Sequence, residues 1–225
     1  MTINVVNKID NPVKVKTVLI SVSDKSGLTE FVPGLLAVNP KTKILSTGGT
    51  FVRIKEILGT QAETALTQVS DYTGQPETQG GLVKTLDFKI YLGLLTETYN
   101  DAHQSDLART GALPIDMVVV NLYPFQKTIA KENVIAEQAR GNIDIGGPCM
   151  LRASAKNFIR VASVVDPGDY TLILNELINN QGCTSLNMRF KLACKAFEHT
   201  AVYDRAISDY LAGQNFEDLK KCYQF

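Results

Sequence analysis

Histidine and tryptophan are scarce in this chain of 225 residues. Tryptophan is absent, and the two histidines are His103, in a polar stretch, and His199, in a segment with helical spacing. Neither has a histidine partner at metal-ligand spacing, which makes metal sites, proton shuttles and most histidine-based triads improbable. Acid–base chemistry is therefore expected to come from lysine, tyrosine, aspartate or glutamate.

The four cysteines are widely spaced and form no CxxC pair; they are Cys149, Cys183, Cys194 and Cys222. Reduced, structural thiols of a cytosolic protein are the expected state. The N-terminal residues contain no apolar core of a signal peptide, and no apolar run approaches transmembrane length. The sequence therefore predicts a soluble protein of the cytoplasm.

Excess charge is also missing, because 23 basic residues balance 23 acidic ones. This balance argues against bulk binding to nucleic acids or anionic membranes, and it leaves room for a local basic pocket. Neither GxGxxG nor GxxxxGK[ST] occurs, so the fingerprints of dinucleotide-binding and P-loop proteins are lacking. Hydrophobic residues make up 44%, which is enough to bury the core of one large domain.

What the chain does contain is a repeated alternation of strand, polar turn and helix. An apolar, β-branched run predicts a strand over 17–23, followed by a helix over 28–37. The pattern repeats with a strand over 43–45 and a helix over 51–58. Such repetition predicts an α/β fold with a mainly parallel sheet.

Further along, the patterns predict strands over 114–122 and 160–165. Helices are expected over 132–140, 166–182 and 185–211. Residues 66–95, rich in glycine and hydroxyl side chains, are interpreted as a structured loop. The aromatic residues of the last helix are interpreted as packing residues: Phe190, Phe197 and Tyr203.

Small polar loops follow the predicted strands, at 23–27 and 46–50. In parallel sheets ligands bind beyond the carboxyl ends of the strands. Hydroxyls and backbone amides converging there would hold a phosphate, with added charge from Lys25. Asn121 and Tyr123 occupy the corresponding place after the strongest strand. The segment Lys84-Thr85 is a further candidate contact, although an ordinary surface lysine is the better explanation of this segment taken alone.

The stretch 141–157 combines an acid, a Gly-Gly-Pro turn and a short helix. The glycines allow a sharp turn and close approach of a ligand, and proline suits the first helical turn. Free amides at that helix start favour an anion or a developing oxyanion, next to Asp144. Arg152 and Lys156 are four residues apart and share one helix face. An ordinary helix cap followed by two solvated cations explains the same stretch.

Several stretches, taken together and in order, resemble one family: 19–28, 45–50, 69–74, 83–86, 118–125, 143–157 and 195–201. The family is the IMP cyclohydrolase domain of the bifunctional AICAR transformylase/IMP cyclohydrolase of purine biosynthesis. The resemblance covers about residues 17–212. It suggests an N-terminal extension over 1–16, a cyclohydrolase-like domain over 17–212 and a tail over 213–225, with no transformylase domain.

The resemblance implies a methylglyoxal-synthase-like three-layer α/β sandwich with a mainly parallel sheet and C-terminal helices. It implies ring closure of formylated AICAR (FAICAR) to IMP with loss of water. No metal or organic cofactor is expected. A homodimer is implied, and a separate AICAR-formylating enzyme would act upstream.

Site residues follow from the same resemblance. The residues assigned to chemistry are Lys84, Tyr123, Asp144 and Lys156. Contacts to phosphate and ribose are implied for Ser23, Asp24, Lys25, Thr47, Gly48, Gly49, Thr50, Lys84 and Thr85. Contacts to the base and the reacting centre are implied for Asn121, Asp144, Ile145 and Gly146. Our hypothesis is that Lys156 is the general acid/base and that Lys84 binds the phosphate or the oxyanion.

The chain departs from the family pattern around Lys84, where Gly-Arg-Val-Lys-Thr-Leu-His-Pro is common. Here Leu82 replaces a phosphate-contacting arginine, Asp87 and Tyr91 replace two histidines, and Phe88 follows Asp87. Loss of a bidentate charged donor predicts weaker phosphate binding unless another cation compensates. The candidates for compensation are Lys89 and Arg152.

Two other functions stay open on the same scaffold. Methylglyoxal synthase chemistry depends on an aspartate base with a nearby histidine, and neither histidine here lies in a suitable loop. A non-catalytic nucleotide sensor, like the regulatory domain of carbamoyl-phosphate synthetase, would explain the missing arginine. Retention of the whole set of residues assigned to chemistry argues against a sensor.

Overall fold

The computed structural model describes residues 5–76, 78 and 84–224. At its centre lies a parallel sheet of five strands in the order β4-β3-β2-β5-β6. A separate antiparallel pair joins β1 and β7. The strands are β1 (Val13–Lys14), β2 (Thr17–Val22), β3 (Lys43–Ser46), β4 (Leu66–Gln68), β5 (Met117–Asn121), β6 (Ala162–Val164) and β7 (Cys183–Thr184).

Helices cover both faces of the sheet and extend the chain beyond it. They are α1 (Leu28–Val38), α2 (Gly48–Leu58), α3 (Ala62–Ala65), α4 (Val69–Thr73), α5 (Phe88–Leu95), α6 (Asp101–Thr110), α7 (Phe125–Ile129), α8 (Ala136–Gly141), α9 (Gly146–Lys156), α10 (Tyr170–Asn179), α11 (Leu186–Ala212) and α12 (Phe216–Lys220). Short 3₁₀ turns cover Gly59–Gln61 and Pro167–Asp169. Within the described residues, no helix combines the length and the apolar character needed to cross a membrane.

The central strand β2 shows why the sheet is buried on both faces. Val18 and Ile20 belong to the hydrophobic cluster under α1, α2 and α10, whereas Leu19 between them belongs to the cluster under α5, α9 and α11. Successive strand residues point to opposite faces, so a continuous apolar run is needed when both faces carry helices. The predicted three-layer α/β sandwich is confirmed, with C-terminal helices added.

The residues preceding β2 are tied to the domain by β1 and by a buried arginine. Arg189 on α11 is fully buried, and its guanidinium donates to the carbonyl oxygens of Asp10 and Asn11 at 2.9 Å each. The strand pair places Val13 opposite Thr184. From Asp10 onward, the segment predicted as an extension is therefore packed against the rest of the fold.

Most predicted elements are present with shifted ends, and one prediction is wrong. Residues 66–95, predicted as loop, contain β4, α4 and α5 among the described residues. The helix expected over 132–140 is present as the shorter α8. Phe190 is 52% exposed and packs its ring edge-on against Phe158 at 5.4 Å, whereas Phe197 is 39% exposed and lies beside the Arg152 guanidinium. Tyr203 on the same helix is buried as predicted.

Candidate functional site

A cleft of about 340 Å³ lies beyond the carboxyl ends of β3, β2 and β5, which are neighbours in the sheet. The polar loops predicted from separate parts of the sequence meet there, because all three strands are parallel and end at one edge. Its predicted lining residues are Ser23, Lys25, Thr47, Gly48, Gly49, Thr50, Lys84, Thr85, Asn121, Tyr123, Asp144, Ile145 and Gly146. Ser21, Leu86, Ile143, Gly147 and Met150 also line it and were not predicted.

The first wall of the cleft is the start of α2, held against β2 by two hydroxyls. Thr50 Oγ1 accepts from the amide of Val22 and donates to its carbonyl oxygen, both at 3.0 Å. Thr47 Oγ1 lies 2.9 Å from Ser21 Oγ. Thr47 and Thr50 therefore fix the position of the helix start. The amide of Thr50 donates to the carbonyl oxygen of Thr47 at 3.1 Å, so the amides of Gly48 and Gly49 are the ones suited to a ligand.

Two lysines lie over this helix start. A methyl group built on Gly48 would be 2.9 Å from Lys84 Nζ, and one on Gly49 would be 3.9 Å from Lys25 Nζ. Gly48 has a φ of 46°, a left-handed conformation that glycine adopts without strain. The N-terminus of a helix carries partial positive charge, so two ammonium groups beside it favour a bound anion.

Asn121 fastens the loop that carries Asp24. Its Oδ1 accepts from the amide of Asp24 at 2.8 Å, and its Nδ2 donates to the carbonyl oxygen of the same residue at 2.9 Å. Both ends of the Asn121 amide are thus engaged with the protein. This arrangement favours a positioning role over the predicted base contact.

The carboxylate of Asp24 points to Ser26 rather than to the cleft. It accepts from the Ser26 hydroxyl at 2.6 Å and from the Ser26 amide at 2.9 Å. These hydrogen bonds hold the pKa of Asp24 below its usual range. Asp24 is not among the residues that line the cleft. Its contribution to the site is the shape of the loop.

The second wall is the start of α9, preceded by the half-buried acid Asp144. Its Oδ1 accepts from the amide of Gly147 at 2.9 Å, and its backbone amide donates to Tyr203 Oη at 2.8 Å. Burial raises the pKa of Asp144, and hydrogen bonds from the amides of Gly147 and Tyr123 offset part of that rise. A carboxyl group with a raised pKa in a cleft is suited to proton transfer.

Both glycines at the start of α9 are required by close contacts. A methyl group on Gly146 would be 2.6 Å from Thr85 Oγ1, which brings the Lys84-Thr85 segment against the helix start. A methyl group on Gly147 would be 2.7 Å from Asp144 Oδ2 and 2.6 Å from Leu122 Cδ2. Neighbouring protein groups therefore approach the backbone closely at Gly146 and Gly147, and the predicted approach of a ligand stays a prediction.

The side chains predicted for chemistry are only partly brought together. Lys84, Tyr123 and Asp144 line the cleft, with Tyr123 54% exposed. Lys156 is exposed at the last turn of α9, about 15 Å along the helix axis from Gly146. A lysine side chain does not span that distance, so the prediction that Lys156 joins Asp144 in one site is not met within a single chain.

Two of the positions where the sequence departs from its family, Asp87 and Tyr91, have ordinary structural roles. Asp87 caps α5 by accepting from the amide of Lys89 at 2.7 Å. Tyr91 packs against the core beside Cys149, and burial raises the pKa of its hydroxyl. Leu82 lies outside the described residues, and Phe88 is exposed.

Neither cation expected to compensate for Leu82 reaches the cleft. Lys89 Nζ donates to the carbonyl oxygen of Tyr72 at 3.3 Å, and Arg152 lies 5.7 Å from the ring centroid of Phe197. Neither of them lines the cleft. Neither Lys89 nor Arg152 therefore compensates for the missing arginine, and weaker phosphate binding stays a prediction.

Tyr203 supports the site from outside the cleft, and the sequence did not predict that role. It lies 59 positions from Asp144 and was interpreted as a packing aromatic, and its ring does pack edge-on against Phe125. Its hydroxyl adds a hydrogen bond that fixes the backbone of Asp144. Helical periodicity reports burial only, so the sequence carries no signal for that hydroxyl contact.

The fold and the cleft define a class: an α/β domain with a polar cleft at the carboxyl edge of a parallel sheet. Residues 27–149 match the model of the MGS-like domain family, and residues 154–224 match that of the AICARFT/IMPCHase bienzyme. The chain belongs to the MGS-like domain family. Among the residues described, no group of histidine, cysteine, aspartate and glutamate is placed to hold a metal ion.

The chain is also similar in sequence to individual curated proteins. The bifunctional purine biosynthesis protein PurH of Ruminiclostridium cellulolyticum is 47% identical over 197 residues, 88% of this chain and 37% of that protein. PurH of a Thermoanaerobacter species is 48% identical over 200 residues, 89% of this chain and 38% of that protein. The chain thus spans less than two fifths of these relatives.

A solved structure has a similar fold. The crystal structure of ForH superposes with a TM-score of 0.72 at 30% sequence identity. The match covers 86% of this chain and 97% of that one.

Proposed function

We propose that this chain is an IMP cyclohydrolase, which closes FAICAR to IMP with loss of water in purine biosynthesis. The observation that carries the proposal is one cleft with two unlike walls. Lys25 and Lys84 lie over the start of α2 on one side, and Asp144 stands at the start of α9 on the other. A nucleotide has the matching asymmetry, with a phosphate at one end and a reacting base at the other.

The phosphate is assigned to the start of α2. Backbone amides of Gly48 and Gly49 and the two lysine ammonium groups supply the donors and charge that a phosphate dianion needs. The base and its two reacting groups are assigned to the opposite wall, next to Asp144, Tyr123 and the start of α9. This orientation places the reacting atoms beside the carboxyl group whose pKa is raised.

The reaction joins the carboxamide nitrogen to the formyl carbon and then expels the formyl oxygen. One proton leaves the carboxamide nitrogen and one leaves the formamido nitrogen, and both depart with the oxygen as water. Holding amide and formyl groups face to face removes much of the entropic barrier. The intermediate oxyanion is stabilised by the amides at the start of α9 and by the Lys84 ammonium.

Asp144 and Tyr123 are placed to move the two protons. The raised pKa of Asp144 makes its carboxylate a stronger base than a solvated aspartate. The sequence hypothesis of Lys156 as the general acid/base stays a prediction, and its place at the far end of α9 makes it the residue to test first.

The test is formation of IMP from freshly formylated FAICAR by wild type, Lys156→Ala and Asp144→Asn. Loss of turnover in Asp144→Asn alone supports the site described above. Loss in Lys156→Ala as well supports the sequence hypothesis. No turnover by wild type, with IMP still bound, contradicts the proposal and supports the nucleotide sensor.

Three further proposals rest on the resemblance to the family. The chain forms a homodimer, it lies in the cytoplasm, and a separate AICAR-formylating enzyme supplies its substrate. Light scattering coupled to size-exclusion chromatography measures the first directly. A molar mass of one chain would contradict it.

A further inference from the structure

A second cleft, of about 760 Å³, lies at the opposite edge of the sheet, where β2, β3 and β5 begin. Its floor contains the buried pair Arg160 and Asp116, and its rim is formed by the segments that lead into the strands. No part of the proposed substrate site reaches this edge, because that site lies beyond the carboxyl ends of the same strands. The two clefts are therefore independent.

The rim carries two Lys-x-Lys segments. Lys14 and Lys16 flank Val15, which is 3% exposed, and Lys41 and Lys43 flank the equally buried Thr42. Alternation in an extended chain turns the buried residue inward and both lysines outward. The segments are adjacent, because the amide of Lys43 donates to the carbonyl oxygen of Lys16 at 2.8 Å. All four lysines line the cleft.

The carboxylates of this cleft neutralise only part of its positive charge. Asp116 accepts from the amides of Lys16 and Thr17 at 2.9 and 3.0 Å and forms an ion pair with Arg160 at 3.3 Å. Asp10, the other carboxylate of the lining, accepts from Tyr99 Oη at 2.7 Å and keeps its charge. Five cationic side chains therefore face two carboxylates, which leaves an excess of positive charge.

The lysine ammonium groups themselves are nearly unpartnered. Lys14 Nζ donates to the carbonyl oxygen of Gln181. Within residues 5–76, 78 and 84–224, Lys16, Lys41 and Lys43 have no ion pair and no hydrogen bond from Nζ. Like charges gathered around one cleft repel one another, and an anion that binds there relieves that repulsion.

We propose that this cleft, hereafter the basic cleft, binds a polyphosphate anion. Lysines two residues apart in an extended segment are separated by about 6.6 Å at the backbone, more than one phosphate group bridges comfortably. A chain of phosphates reaches ammonium groups on both segments at once. The net charge of the whole protein is zero, so the attraction is local to this edge.

The same chemistry occurs in inorganic polyphosphate and in nucleoside triphosphates. Calorimetric titration with tripolyphosphate, ATP and adenosine separates these sources. We expect tripolyphosphate to bind, with an affinity that falls steeply as salt is raised. Binding of ATP as well assigns the phosphate chain of a nucleotide as a ligand, whereas tripolyphosphate binding alone assigns the inorganic form. Failure of tripolyphosphate to bind overturns the proposal, and adenosine is the control for binding through the nucleoside alone, which belongs to the proposed substrate site.

Paired variants identify the cleft that binds. Lys41→Gln combined with Lys43→Gln should weaken tripolyphosphate binding at least tenfold. Lys55→Gln combined with Lys191→Gln, which removes two exposed lysines elsewhere, should leave it within twofold. Equal losses in both variants would mean diffuse attraction and would overturn the proposal. Equal thermal midpoints verify that both variants are folded.

The proposed substrate site also attracts phosphate, so its lysines provide a third variant. Lys25→Gln combined with Lys84→Gln leaves the basic cleft intact and should retain binding of one tripolyphosphate per chain. Complete loss of binding in that variant would assign all of it to the other edge and overturn the proposal. The assignment of the substrate site is not affected by either result.

Discussion

Two helices begin at the candidate active site with Gly-Gly, and their surroundings differ in charge. The start of α2 carries no acidic residue in its first turn and has Lys25 and Lys84 beside it. The start of α9 is preceded by Asp144, whose carboxylate accepts from Gly147 at 2.9 Å. Helix starts favour negative charge. At α9 the protein supplies that charge itself, whereas at α2 two lysines add to the positive charge of the helix start.

This difference divides the work between the two walls. An unneutralised helix start with two lysines holds an anion firmly and has little to offer in proton transfer. A helix start with its own carboxyl group repels a phosphate and offers a base with a raised pKa. Substitutions on the two sides should therefore separate binding from chemistry.

The largest effect is expected at Lys84. Lys84→Ala removes the ammonium group that we assign to both the phosphate and the oxyanion, so kcat/KM for FAICAR should fall by about 10²–10³-fold. Steady-state kinetics measures it, and Lys89→Ala is the matched control. Lys89 donates to Tyr72 instead of lining the cleft, so its variant should stay near wild-type activity. Equal losses in the two variants would remove the distinction between these lysines.

Substituting alanine for one glycine at each helix start compares the two starts directly. Gly146→Ala places Cβ 2.6 Å from Thr85 Oγ1, so the Lys84-Thr85 segment or the helix must shift. Because a small misplacement of reacting groups is costly, we expect a loss of roughly 10²-fold in kcat. Gly49→Ala meets its nearest atom, Lys25 Cε, at 3.8 Å, an ordinary contact. It should change kcat little, and a larger loss from Gly49→Ala would reverse the comparison.

A smaller effect is expected from Tyr203→Phe, which keeps the ring against Phe125 and removes the hydroxyl that accepts from the Asp144 amide. The buried amide loses its partner, so we expect a destabilisation of about 1 kcal/mol and a fall in kcat with little change in KM. Tyr210→Phe is the control, because its ring also packs on Phe125 at 5.7 Å. A change in KM alone would show that Tyr203 does not act through Asp144.

The common edge of the sheet could be predicted from the sequence for a simple reason. Apolar β-branched runs separated by polar turns and helices permit few arrangements other than a parallel sheet, and its strands end together. Loops 23–27 and 46–50 and the residues after β5 were thereby placed at one cleft, and the structure confirms that juxtaposition. Local sequence pattern and sheet topology were therefore sufficient to predict where the cleft lies.

The contacts inside the cleft depend on information that local patterns lack. Lys156 shares a helix face with Arg152, yet periodicity does not say that α9 carries this face away from the site. Asn121 is the last residue of β5, at the strand end where a site residue was predicted, but its hydrogen bonds with Asp24 depend on the shape of another loop. The strand β4 was missed because it is three residues long and lies at the sheet edge, within a glycine- and threonine-rich stretch.

The smallest effect concerns the stability of the folded protein as pH changes, through the ionisation of Asp144 and Asp24. Burial raises the pKa of Asp144, so between its folded and unfolded pKa values the folded state binds more protons, and stability falls as pH rises. Asp144→Asn keeps an oxygen for the Gly147 amide and does not ionise. We expect this variant to gain stability relative to wild type as pH rises from about 4 to 7, as measured by urea unfolding.

Asp24→Asn should show the opposite sign and serves as the control. Hydrogen bonds from Ser26 lower the pKa of Asp24, so its carboxylate adds stability above the unfolded pKa, which is lost as pH falls through the folded pKa. Asp24→Asn should thus be less stable than wild type near pH 7, with a small difference because Asp24 is exposed. Both differences should shrink towards acid pH from opposite sides. The same sign for both variants would mean that burial does not govern Asp144, and the division between a binding wall and a proton-transfer wall would lose its electrostatic basis.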